Sequence, residues 1–242
     1  YETFVTPSST LSPGHLLVIG CVWPEPRASA AGGHMLQLLE CFLAQGWQIT
    51  FASPAAEGEH RADLAVLGIR EQRITLNCSS FDQFVRELMP EVVLFDRFMM
   101  EEQFGWRVEK HCPNALRVLE TSDLQSLRAA RQNALKEQLA SGQNEDLSTL
   151  FSLDHSQLFQ RMADSDMALR EVAAIYRCDL SLMISDAEID LLTEQFKVPA
   201  SLLLHCPLLL DSTPQPVPDF AGREHFISIG NFRHAPNWDA VL

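Results

Sequence analysis

Short apolar runs bounded by turn residues alternate along this chain with segments of helical period, and that alternation limits the fold more than any single motif. Residues 14–22 (GHLLVIGCV) are too few for a helix and follow Pro13, so they read as a buried strand. Met35, Leu38, Leu39 and Phe42 then fall at i, i+3, i+4 and i+7, a helix closed by Gly46. Residues 47–52 (WQITFA) predict a second strand and 74–76 a weak third. Phe81, Phe84, Val85 and Leu88 repeat the helical spacing, with Ser80 and Gln83 placed as a capping box. Strands follow at 92–96 (VVLFD) and 116–120 (LRVLE), and Ser122 with Gln125 predicts a second box before a helix carrying Leu124, Leu127, Arg128 and Arg131. Residues 139–150 read as a polar surface excursion. A helix with Leu169, Val172, Ala173 and Tyr176 leads to a strand at 180–184 (LSLMI), and Ser185 with Glu188 form a third box over Ile189, Leu192 and Phe196. Strands alternating with helices predict an α/β domain: a doubly wound, mainly parallel sheet covered on both faces.

Beyond residue 206 the pattern changes. Pro207, Pro214, Pro216 and Pro218 mark residues 207–225 as a semi-rigid linker. Residues 226–230 (FISIG) open a new strand, and Ala235-Pro236-Asn237 the start of its helix. A strand and half a helix cannot bury themselves. The expected organisation is a first domain at 1–206, the linker, and the start of a truncated second domain at 226–242.

Eighteen Lys and Arg against 32 Asp and Glu give 242 residues a formal charge of −14. That balance disfavours nucleic acid and anionic lipid as partners, since both demand a basic face. No apolar run reaches the ~18–20 residues of a membrane-spanning helix, and residues 1–13 lack the basic and apolar regions of a signal peptide. The six cysteines are scattered, without C-x-x-C pairs or zinc spacing, and read as reduced thiols of a soluble, cytoplasmic protein.

In open parallel sheets ligands sit beyond the carboxyl ends of the strands. Gly32-Gly33 lies there, directly before a helix whose bare amides attract anions; the same pair also suits a tight strand-to-helix turn. Asp96-Arg97 and Thr121-Ser122-Asp123 end two further strands and would face the same cleft. Arg97, Arg128 and Arg131 suit an anion, or a solvated helix face. Asp164-Ser165-Asp166 has D-x-D form but precedes a helical segment, where acidic residues favour the dipole, so no metal site is expected. No H-x-x-x-H pair, nucleophile elbow or P-loop is present, and His34, His111, His155 and His234 stand alone.

Two segments resemble the retaining GT-B glycosyltransferases that use nucleotide-sugars, the group-1, family-4-like enzymes. Residues 171–188 (EVAAIYRCDLSLMISDAE) are similar to that family's glutamate, apolar residues, aspartate, strand and S-x-x-E near the end of its first domain. Residues 226–239 (FISIGNFRHAPNWD) resemble its entry into the second. Gly32-Gly33 matches its glycine-rich loop, and residues 119–123 (LETSD) its t-h-D. The match runs in order along nearly the whole chain. It implies the N-terminal, Rossmann-like half of a GT-B fold, with the acceptor mostly on this lobe and the donor mostly on a second.

On that resemblance the full protein transfers a sugar from a nucleotide-sugar to a sugar, glycan or glycosylated acceptor. Asp123 and Arg97 are the catalytic candidates, and Gly32, Gly33, Asn231 and Arg233 those that contact the donor. No cofactor or metal is implied, because positive groups and helix ends stabilise the departing diphosphate. Asn231 and Asn237 stand near where the family has Arg and Lys, Arg233 is the candidate substitute, and Asp96-Arg97 and Ser122 stand where it often has His. Two alternatives stay open: a sugar-nucleotide epimerase of the same architecture, and a non-catalytic binding or scaffold module.

Overall fold

The computed structural model describes residues 13–140, 155–209 and 219–225. Strands β1 (His15–Ile19), β2 (Gln48–Ser53), β3 (Arg70–Arg73), β4 (Val92–Asp96), β5 (Leu116–Glu120), β6 (Leu180–Met183) and β7 (Leu203–His205) form one sheet in the order β3-β2-β1-β4-β5-β6-β7. Every neighbouring pair is parallel. The expected doubly wound α/β sheet is present. Its central strands are buried on both faces, which is why they read as unbroken apolar runs. Leu16 and Val18 of β1, with Val92 and Leu94 of β4, pack on one face against Met35, Leu38 and Leu39 of α1 (Ala30–Ala44). Leu17, Ile19, Val93 and Phe95 point to the other face. That face is covered by α2 (Ser80–Leu88), α3 (Phe98–His111), α4 (Gln125–Ala140), α5 (His155–Met162), α6 (Asp166–Arg177) and α7 (Asp186–Glu194).

Several expectations need correction. The third strand is Arg70–Arg73, not 74–76, because an edge strand pairs through its backbone and can carry charged side chains. The polar character of residues 97–111 concealed α3. None of the three capping boxes forms. The Ser80 hydroxyl donates to Cys78 Sγ at 3.1 Å from inside α2, and Gln83 donates to Glu87. Ser122 is left-handed, at φ 59°, with its hydroxyl on Glu120, and α4 starts at Gln125. Ser185 does occupy the N-cap of α7, but no side-chain bond caps it. Helix α6 buries Ala168, Glu171, Ala174 and Ile175, leaving Leu169 60% and Tyr176 50% exposed on the face expected to be covered. Ser165 caps α6 and Asp166 lies in its first turn, as the helix-dipole reading of D-x-D requires.

All six cysteines are free. Among the described residues no helix is long and apolar enough to cross a membrane. Residues 226–230, Asn231, Arg233, Asn237 and nearly all of the 139–150 excursion lie outside the described residues.

Candidate functional site

The sheet order reverses between β1 and β4: the chain leaves β1 towards β2 on one side and β4 towards β5 on the other. Such a switch opens a crevice at the carboxyl ends of the strands. A cleft of about 150 Å³ lies there, lined by Val22, Trp23, Glu25, Ser29, Ala31, Gly32, Asp96 and Arg97 among others. Trp23 is a wall rather than a stacking platform. Its ring lies under the Arg61 guanidinium at 5.0 Å, and its Nε1 donates to the Ala55 carbonyl at 3.1 Å.

Helix α1 begins at the cleft. Ser29 is its N-cap, accepting from the Gly32 amide at 3.0 Å. A Cβ on Gly32 would come within 2.6 Å of the Glu25 backbone, so the chain itself uses the space left by the missing side chain. A Cβ on Gly33 would meet nothing within 4 Å. The two glycines therefore differ. Both lie inside the first turn of α1 rather than directly before it; Gly32 packs on the Glu25 backbone and lines the cleft, whereas Gly33 does not line it and faces open space.

Arg97 is left-handed, at φ 72°, in the N-cap position of α3. Its amide donates to the Glu120 carbonyl at 2.7 Å, and its side chain enters the cleft with Nε 3.5 Å from Asp96 Oδ1. Asp96 accepts from the Cys21 amide at 3.0 Å. Burial pushes the Asp96 carboxyl up, and Arg97 partly offsets it. Glu120 ends β5 beside it. Burial, reinforced by Asp96, pushes its carboxyl up to about 7. Glu120 accepts from both the amide and the hydroxyl of Ser122 at 2.9 Å. His34 of α1 is buried with its Nε2 4.0 Å from Glu120 Oε1, and burial lowers its pKa.

Asp123 follows Ser122 and is gripped by the Arg128 guanidinium, with Nε donating to Oδ2 at 2.8 Å. The fold thus brings Gly32, Gly33, Arg97 and Asp123 to the same end of the sheet, but only Gly32 and Arg97 into one cleft. The amino end of α4 is closed to outside anions. Leu124 donates to Glu188, and Gln125 and Ser126 donate to Glu171. Glu120 and His34 are not among the residues the sequence pattern places in a site, although two strands ending in carboxylates, Asp96 and Glu120, are a visible signal.

No known family profile and no curated protein matches the chain at the sequence level. Among solved structures, the apo form of the lipopolysaccharide outer core galactosyltransferase WaaB superposes with a TM-score of 0.50 at 11% identity, covering 85% of this chain and 49% of that one. The fold is that of one GT-B lobe. Sucrose-phosphate synthase from Thermosynechococcus elongatus gives 0.48 at 13% identity over 80% of this chain and 47% of its own. An alpha-glucosyltransferase in complex with UDP and a 13-mer DNA containing a HMU base gives 0.45 at 10%, over 83% and 44%. The chain spans about half the length of the first of these proteins, as a single GT-B lobe does.

Proposed function

We propose that the full protein is a glycosyltransferase that moves a sugar from a nucleotide-sugar to a sugar, glycan or glycosylated acceptor, with this GT-B lobe contributing the acceptor side of the cleft. The observation that carries the reading is the cleft at the β1/β4 switch. There the start of α1 and the Arg97 guanidinium converge, while the alternative helix end, that of α4, is taken up by Glu171 and Glu188. Arg97 would stabilise charge developing on the departing diphosphate, a role that needs a fixed cation and no metal. The first turn of α1, where Gly32 lines the cleft, would face the donor phosphates or sugar. Asp123, held by Arg128, would hydrogen-bond the sugar at the rim, with Asn231 and Arg233 meeting the donor from beyond the linker.

Isothermal titration of the full-length protein with UDP-, GDP- and TDP-sugars tests this. Micromolar to millimolar binding of one nucleotide class, weakened at least tenfold by Arg97→Ala, is the expected result. No binding to any donor would refute catalysis and leave a scaffold. Conversion of a sugar nucleotide without an acceptor would instead identify an epimerase.

A further inference from the structure

Asp96, Glu120 and His34 are 6%, 2% and 3% exposed. Arg97 is the guanidinium that faces the two carboxylates. Neither His34 ring nitrogen has a hydrogen-bond partner, and Nε2 points at Glu120 Oε1 from 4.0 Å, about 1 Å beyond hydrogen-bond length. Two buried carboxylates opposite one cation cannot both ionise cheaply, and an orphaned imidazole beside them is a ready acceptor. The other ionisable groups facing this cluster are the thiols of Cys21, beside Asp96, and Cys206, after β7. Burial raises both and keeps them neutral.

We propose that Asp96, Glu120 and His34 hold one exchangeable proton between them, and that an anion entering the cleft at Arg97 binds together with that proton. The charges explain the coupling. With the proton absent, Asp96, Glu120 and Arg97 sum to −1 and oppose an anion. With it present they sum to zero, and the guanidinium is free to act as a cation; Glu25, which also lines the cleft, is common to both states. The position of Glu120 near 7 puts the exchange close to neutrality, and the lowered His34 leaves the proton mainly with the carboxylates. The fitting ligand is a doubly charged anion such as the diphosphate of a nucleotide-sugar, so the inference rests on the reading of the cleft given above.

Sulfate is the probe, because its charge is constant from pH 6 to 8. Binding to the full-length protein is followed by the amide signals of Ser29, Gly32 and Arg97, and proton uptake by calorimetry at pH 7 in two buffers of different ionisation heat. We expect sulfate affinity to fall about tenfold from pH 6 to pH 8, with about half a proton taken up at pH 7. In Glu120→Gln, which keeps an acceptor for the Ser122 amide, affinity should change by less than about twofold over that range. A flat wild-type profile, zero proton uptake, no shift of these amides, or an unchanged profile in the variant would each overturn the proposal. Should the variant not fold, the wild-type profile and proton count decide alone. A nucleotide-sugar that binds with pH-independent affinity would sink the proton site and leave the glycosyltransferase reading standing.

Discussion

The Glu171 carboxylate clamps Ser126 at the start of α4: one oxygen accepts from the Ser126 amide at 3.0 Å and from its hydroxyl, and the other from the Gln125 amide at 2.7 Å. A helix leaves its first amides unpaired, and here a residue 45 positions further along the chain supplies the acceptor. Glu171→Ala removes all three bonds and should cost about 2–4 kcal/mol, whereas Glu171→Gln, which keeps one acceptor oxygen, should cost about 1–2 kcal/mol. Urea unfolding of the two variants checks the order. Equal losses would show that the acceptor oxygens carry none of the effect.

Glu188 completes that clamp by accepting from the Leu124 amide at 3.1 Å, while its Oε2 has no partner. Burial is the main reason its carboxyl is held at about 7 rather than 4.5. The unfolded chain releases this proton near 4.5 and the folded chain only near 7, so between those values the native state binds more protons. The resulting stability is present at low pH and lost as pH rises through about 7, by about 3 kcal/mol in full. Glu188→Gln lacks the titration. Its stability relative to wild type should therefore rise by about 2–3 kcal/mol between pH 5 and pH 8, measured by urea unfolding at both. A constant difference would place the ionisation elsewhere.

The two glycines of α1 differ in what surrounds their missing side chains, backbone at Gly32 and open space at Gly33. Gly32→Ala puts a methyl against the Glu25 backbone and should destabilise the chain by about 1–3 kcal/mol. Gly33→Ala meets open space within a helix and should stabilise it by about 0.5–1 kcal/mol. If Gly33 admits the donor, that same variant will lose nucleotide-sugar affinity despite its higher melting temperature. Unaltered affinity would remove Gly33 from the site.

What the sequence displayed follows burial. β1, β4 and β5 are legible because both their faces are covered, so residues such as Leu16 and Leu17 are apolar in succession. β3 is REQR, an edge strand whose pairing lives in the backbone, and periodicity has nothing to detect. Helix α3 buries Glu101 among its apolar residues, and that carboxylate is satisfied by Arg177, 76 positions away. The capping box expected at α4 failed for a related reason: its spacing is local, but the acceptors that hold α4 come from α6 and α7. The candidate site was half legible: Arg97 follows the end of β4 and Gly32 lies in the first turn of the helix after β1, so both could be named, whereas the approach of His34 to Glu120 exists only after the sheet has brought α1 beside β5.

Arg97 carries a backbone cost that can be measured apart from its charge. A side chain in the left-handed region is strained, and φ 72° occurs where the Arg97 amide donates a hydrogen bond to the Glu120 carbonyl at 2.7 Å and the chain turns into α3. Arg97→Ala and Arg97→Gly both delete the guanidinium and leave Asp96 and Glu120 without their cation. They differ only in the freedom of that backbone. Arg97→Gly should therefore be about 1 kcal/mol more stable than Arg97→Ala, while both bind a nucleotide-sugar equally weakly in the full-length protein. That outcome would mean that the fold accepts strain at this position in order to present a cation to the cleft. Equal stabilities would mean that the turn is relaxed, and a donor affinity that survives in either variant would assign the anion to another group.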